Sequence, residues 1–251
     1  MHLSDFYPPP TKLIQSELTA LKYLMTNTYI TQEQSTFAQH AQMYYSRNKN
    51  YRHGFEFFSY FDVCHAEMPA KRGRNAREKN HKPNLRLVVA ALIELKKDES
   101  YSNVSYCLAV CRIRAKHPAI WRKFHFDVTV TSGNEQARRQ QHPTCHLQYC
   151  GEMIPGMIEM GCREEQLKSM HASLSEPRVF FWPMSLALLV DMALHEFPDP
   201  YSLRFRESSE WRGIVRNHEA LVLRPFYERC IQIMRNTPGN ERILADEFYV
   251  E

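Results

Sequence analysis

Glycine is scarce in this chain, at 8 residues of 251. Neither GxGxxG nor GxxxxGK[ST] occurs. That removes the glycine-rich loops that let a backbone approach nucleotide phosphates. Long apolar runs are also missing. The longest, "MSLALLVDMAL" at 184–194, is too short for a bilayer and carries Asp191, so no membrane partner is expected. Residues 1–13, "MHLSDFYPPPTKL", contain no basic-then-apolar leader. Neither sign of charge dominates: 32 Lys and Arg face 28 Asp and Glu, a net +4. A charge that small does not by itself imply nucleic acid, although its distribution can. The cysteines number 7, an odd count with no framework spacing. This argues against a disulfide scaffold and for free thiols in a reducing cytosol. The expectation is a soluble cytoplasmic protein with no cofactor.

What is present suits a packed core. Hydrophobic residues make up 43% of the chain, ordinary for a globular protein and too high for a disordered one. The fold class read from the pattern is α+β: an antiparallel β-meander at about 85–150, packed with N-terminal and C-terminal helices. Residues 1–67 read as helical and aromatic, with Ile14, Leu18, Leu21 and Met25 at helical spacing. A second helix is expected over Thr31 to Arg47. "YRHGFEFFSYFDV" (51–63) fits a strand pair or a helix equally well.

Strand signals follow in "LRLVVAALIEL" (85–95), "SNVSYCLAVCRI" (102–113), "KFHFDVTV" (123–130) and "CHLQYC" (145–150). "KKDES", "RAKHPAI" and a longer "TSGNEQARRQQHP" separate them as turns. Residues 152–251 read as a C-terminal helical region, in which Pro183 is placed to open a buried helix over 184–197. "PDP" stops that helix, and Pro225 predicts a kink or break in the apolar stripe that starts at Trp211. The whole reads as one compact domain.

One composition shift stands out. Residues 70–83, "AKRGRNAREKNHKP", hold Lys71, Arg72, Arg74, Arg77, Lys79 and Lys82 with a single Glu. An exposed basic loop of this kind grips phosphates, and Arg138 and Arg139 add to it just before the fourth strand. Phe55, Phe57, Phe58, Tyr60 and Phe61 have the flat faces that stack bases, but core packing explains them better.

Catalytic chemistry has four candidate origins. On alternating strands His125 and Asp127 share a face, as do His146 and Gln148. If those strands pair antiparallel, the four meet. Two histidines and a carboxylate are what metal-independent RNA cleavage needs: one ring takes the 2′-OH proton, the other protonates the leaving oxygen, and the carboxylate orients a ring. Such a site would place both rings in an open cleft, with nitrogens within about 7 Å. The plainer reading is that this polar face is simply solvated, over a core of Phe124, Phe126, Leu147 and Tyr149.

His142, Cys145, His146 and Cys150 are zinc-ligand types, but alternation divides them between two faces. A structural zinc site using Cys145, Cys150 and Cys162 stays open as an alternative. Asp191, His195 and His218 fall on apolar helices, where one shared core network is expected, with Arg212 or Arg216 at its edge. Cys64–His65 and Cys145–His146 are adjacent pairs, and adjacent strand side chains diverge, which is wrong for thiolate activation.

"FHFD" and "HPTCHLQ" together resemble the His-bearing β-meander of uncharacterised bacterial proteins from toxin–antitoxin and phage-defence loci. The resemblance lies within residues 85–150. It implies RNA cleavage, or an accessory role beside another defence protein. The leading expectation is therefore a nucleic-acid-binding protein, RNA favoured, with ribonuclease chemistry at His125, Asp127, His146 and Gln148. The alternative is a non-enzymatic subunit of a larger defence complex, docking a protein partner or a second copy through its C-terminal helices.

Overall fold

The computed structural model describes residues 6–26, 53–63, 85–114, 117–128, 142–143, 145–149, 178–198, 200–236 and 249–250. The fold is α+β: one antiparallel sheet in meander order, with helices packed on one face.

Six strands lie side by side in chain order. They are β1 (His53–Val63), β2 (Leu85–Leu95), β3 (Tyr101–Arg114), β4 (His117–Val128), β6 (Cys145–Tyr149) and β7 (Arg178–Phe180). The short β5 (His142–Pro143) pairs separately with β8 (Tyr249–Val250). The stretch that fitted two states is a single long strand, since β1 pairs with β2 from His53↔Leu95 to Val63↔Leu85. Arg178–Phe180 is a strand inside the region read as helical. Its three residues are too few for periodicity to reveal.

β4 also starts earlier than "KFHF" suggested. His117 to Ile120 were read as part of a turn, yet they pair with β3. Val110 faces Arg122 while Cys111 faces Ile120, so β4 carries one extra residue, Trp121. That bulge interrupts the alternation that marks a strand.

On β2, Leu85, Leu87, Val89, Ala91 and Ile93 join the helix-facing core. The intervening Val88 and Ala90 are buried too, as are Cys107, Ala109 and Cys111 on the same reverse face of β3. A sheet covered on both faces reads as a continuous apolar run, which is why "LRLVVAALIEL" shows little alternation.

α1 (Pro10–Thr26) opens on proline, whose missing N–H costs nothing in a first turn. Its buried line is Leu13, Glu17, Ala20, Leu21 and Leu24. Ile14 and Leu18, named by periodicity, sit half-buried on the rim. The buried face lies about one residue from the one that periodicity picks out, since hydropathy does not count Glu17, which stands at its centre.

α2 (Leu186–Glu196) is capped by Ser185, whose Oγ accepts from Leu188 N–H. The cap, and not Pro183, sets the start. α3 (Pro200–Glu207) and α4 (Ser209–His218) follow. A π-helical turn, Glu219–Leu223, then leads into α5 (Arg224–Asn236). Arg224 N–H reaches back to Glu219 C=O, five residues away. Pro225 has no N–H to donate and crowds the carbonyl four residues before it. The expected break therefore takes the form of one wide turn in a continuous helix. Trp211, fully buried, packs on Tyr23 and Phe205 with ring centroids at 6.1 and 4.6 Å, and joins α1, α3 and α4.

Candidate functional site

β4 and β6 pair antiparallel, with His125 opposite Gln148 and Asp127 opposite His146. The four candidate residues thus occupy neighbouring positions on the reverse face of the sheet, away from the helices. His146 Nε2 lies 3.8 Å from Asp127 Oδ2, an ion-pair spacing too long for a hydrogen bond. The other carboxylate oxygen, Oδ1, accepts from Ser105 Oγ at 2.5 Å.

β3 completes the cluster, which the sequence reading missed. Ser105 faces Asp127 and Cys107 faces His125 across the β3–β4 ladder. Cys107 Sγ is 3.5 Å from His125 Nε2. Burial pushes the Cys107 thiol far above its ordinary value, with Lys123 opposing. This is a neutral thiol beside a ring, without the thiolate that a nucleophile needs. Lys123, on the same face, is itself buried. The signal available in sequence was alternation alone: Ser105, Cys107, Lys123 and His125 become one group only once the register is known.

Two expectations about this face are corrected. His125 is 8% and His146 6% exposed, so the rings do not line an open cleft. Nor is the face solvated, because Val88, Ala90, Cys107, Ala109 and Cys111 beside them are buried. The cluster is enclosed, and its carboxylate, Asp127, is 26% exposed. Half-buried Ser105 and Gln148 stand beside it.

Strand alternation divides the ligand-type residues as expected. Cys145 enters the helix-side core while His146 faces the opposite way. Among the described residues, no three or more His, Cys, Asp or Glu are grouped to hold a metal ion. Cys150 and Cys162 lie outside the described residues, as do Lys71, Arg72, Arg74, Arg77, Lys79, Lys82, Arg138 and Arg139. The same is true of the helix expected over 31–47 and of Cys64–His65. Of the five aromatics in β1, the structure describes the side chain of Tyr60. It lies under the Arg86 guanidinium, 3.9 Å from the ring centroid, on the reverse face.

The helical candidates separate into two places. Arg206 grips Asp191 with two bonds of 2.9 Å and places Nη1 2.9 Å from His195 Nδ1. Trp211 Nε1 donates to Asp191 Oδ1 at 3.0 Å. The bridging arginine is Arg206, not Arg212 or Arg216. A cleft of about 330 Å³, lined in part by Arg206, Glu207, Arg212 and Glu219, opens beside this pair.

His218 is not in that network. Its Nε2 is 3.2 Å from Ser16 C=O, so the ring donates there. Its Nδ1 is buried with no hydrogen-bond partner among the described residues. Burial depresses this ring to about 4, against a small opposing contribution from the Ser16 bond, and it is neutral at physiological pH.

A further buried cluster went unread in the sequence. Glu17, wholly buried, accepts from Tyr106 Oη at 2.6 Å and from Leu186 N–H at 3.0 and 3.2 Å. It thus caps α2 from a neighbouring helix. Burial raises its carboxyl to about 7 in spite of those donors. Tyr7 Oη donates to Met184 C=O and Tyr101 Oη to Pro8 C=O. These rings therefore tie the N-terminal turn to the strap before α2 and to β3.

No family model matches the chain, and no curated protein or solved structure matches it. Among the described residues, no helix is long and apolar enough to cross a membrane.

Proposed function

We propose that this chain handles RNA and cleaves its phosphodiester backbone without a metal, at His125, Asp127, His146 and Gln148, with the partly exposed Asp127 edge as the point of entry to the otherwise enclosed cluster. The observation that supports this reading is the β4–β6 register, which sets Asp127 against His146 and His125 against Gln148. Asp127 Oδ2 lies 3.8 Å from His146 Nε2 and orients that ring, which serves as the proton donor to the departing 5′-oxygen. His125 sits 3.5 Å from the Cys107 thiol and opposite Gln148. It is the base that takes the 2′-OH proton as that oxygen attacks phosphorus. Gln148 has an amide N–H for a non-bridging oxygen. The P–O5′ bond breaks, leaving a 2′,3′-cyclic phosphate and a 5′-hydroxyl. The basic run from Lys71 to Lys82, with Arg138 and Arg139, supplies phosphate contacts along the strand. A toxin or antiphage-defence setting in a bacterial cytoplasm fits this chemistry.

The test uses purified full-length chain, a 5′-labelled RNA and the DNA of the same sequence, with EDTA present. RNA should be cut to cyclic-phosphate ends and DNA left intact. His125→Ala and His146→Ala should each slow cutting by about 10²–10⁴-fold. Intact RNA, or a rate unmoved by both substitutions, rejects the reading.

A second reading, a non-enzymatic interaction subunit, is favoured by a different observation. Leu203, Tyr227, Ile231 and Met234 are exposed apolar side chains on the C-terminal helices.

A further inference from the structure

We infer that the chain self-associates by pairing α5 antiparallel with α5 of a second copy. This is independent of the RNA reading, and it gives the exposed helical face a specific occupant.

The helix carries two apolar stripes. Phe226, Cys230 and Ile233 are buried, at i, i+4 and i+7. One residue further on, Tyr227, Ile231 and Met234 repeat the same spacing at 49%, 42% and 55% exposure. A step of one residue turns the helix by about 100°. A surface helix needs one such stripe to bury itself, so the second serves nothing within the described fold. Its four-then-three spacing is that of a seam between two helices.

The flanking charges choose the orientation. Glu228 and Arg235 are both exposed. They follow Tyr227 and Met234 directly, so both lie on the same side of the stripe. In an antiparallel pair related by a two-fold axis near Ile231, like flanks face each other. Each Glu228 then meets the partner subunit's Arg235, twice per dimer. In a parallel pair the same two residues would face the opposite flank, where Leu223 and Cys230 stand, and both charges would be left without a counter-charge. Antiparallel pairing is therefore the complementary arrangement. α5 has 13 residues, about 20 Å of helix. A seam of that length is at the small end of protein interfaces, so the association is weak and depends on concentration.

Sedimentation velocity of the full chain, from about 1 to 300 μM, tests this. A monomer–dimer equilibrium is expected, with a dissociation constant of order 10–100 μM. Ile231→Glu, at a solvent-facing position, should weaken it by at least about tenfold while circular dichroism stays unchanged. Glu228→Arg and Arg235→Glu should each weaken it, and the double swap should recover it. A monomer across the whole range overturns the inference and leaves the stripe to a different protein. So does a dimer indifferent to Ile231→Glu, or a double swap that fails to recover what the single swaps lose.

Discussion

β3 carries two polar clusters back to back. Tyr106 reaches into the helix-covered side and donates to Glu17, while its neighbours Ser105 and Cys107 meet Asp127 and His125 on the reverse side. The helix-side cluster is closed. Glu17 is wholly buried, and both its oxygens are occupied by a helix N-terminus and a phenol. The reverse-side cluster is looser. His146 stands 3.8 Å from Asp127, and the carboxylate keeps a quarter of its surface. The difference separates architecture from candidate chemistry. A wholly buried carboxylate fixes neighbouring elements, whereas one that keeps a quarter of its surface at the edge of an enclosed cluster can be reached from solvent.

That contrast can be broken from the helix side first. Trp211→Ala should cost about 3–5 kcal/mol, because it removes a fully buried ring and its bond to Asp191. Urea unfolding reads this as a lower midpoint at unchanged slope. A loss under about 1 kcal/mol would mean that the aromatic junction of α1, α3 and α4 is not a keystone.

Next in size are the proton-linked effects. Glu17 is raised from 4.5 to about 7, so its contribution to stability is full below pH 4.5 and is lost as pH rises through 7. His218 is lowered from 6.5 to about 4, so its contribution is full above pH 6.5 and is lost as pH falls through 4. From pH 4.5 to 6.5, where the two windows overlap, the slopes oppose each other and stability is nearly level. Glu17→Gln should expose the His218 slope alone. Stability of the variant then rises from pH 4 to 6.5 and stays flat above it, with a gain over the native chain at pH 8 of up to about 3 kcal/mol. Denaturant titrations at five pH values check this. A variant that still weakens between pH 6 and 8 would acquit Glu17.

The smallest stability effect belongs to the reverse side, where activity should move most. Asp127→Asn should change unfolding free energy by about 1 kcal/mol or less, since the pair is partly exposed. RNA cutting should nonetheless fall by tenfold or more. Large destabilisation with unchanged cutting would make this cluster as architectural as Glu17.

The fold was legible where periodicity is strong. β2, β3 and the alternating "FHFD" and "CHLQ" segments gave the meander, and facing residues of β4 and β6 followed from alternation. It failed where a rule was locally suspended. Trp121 hid the start of β4 by inserting a bulge. Arg178–Phe180 was too short to show a period. Glu17 was invisible because hydropathy assigns no carboxylate to a core; only the partners Tyr106 and Leu186, 89 and 169 residues away, make it intelligible. The candidate site was half legible for the same reason. His125, Asp127, His146 and Gln148 share strands whose pattern is visible, but Ser105 and Cys107 join them through register. Enclosure was not readable, since it depends on what lies above a face.

The π turn before Pro225 has a consequence for how this chain tolerates editing. A wide turn is a residue inserted into a helix and absorbed where it stands, so the faces on either side stay in phase. Deleting one residue from Glu219–Leu223 should leave the buried lines of α4 and α5 where they are. It would, however, force Pro225 into a regular helix, at about 3 kcal/mol. Made together with Pro225→Ala, the same deletion should be nearly silent in paired melting curves. If both deletions prove equally damaging, the turn is needed for its own shape and not for the proline. The joint is thus the place where the C-terminal helices can lose a residue without losing their alignment.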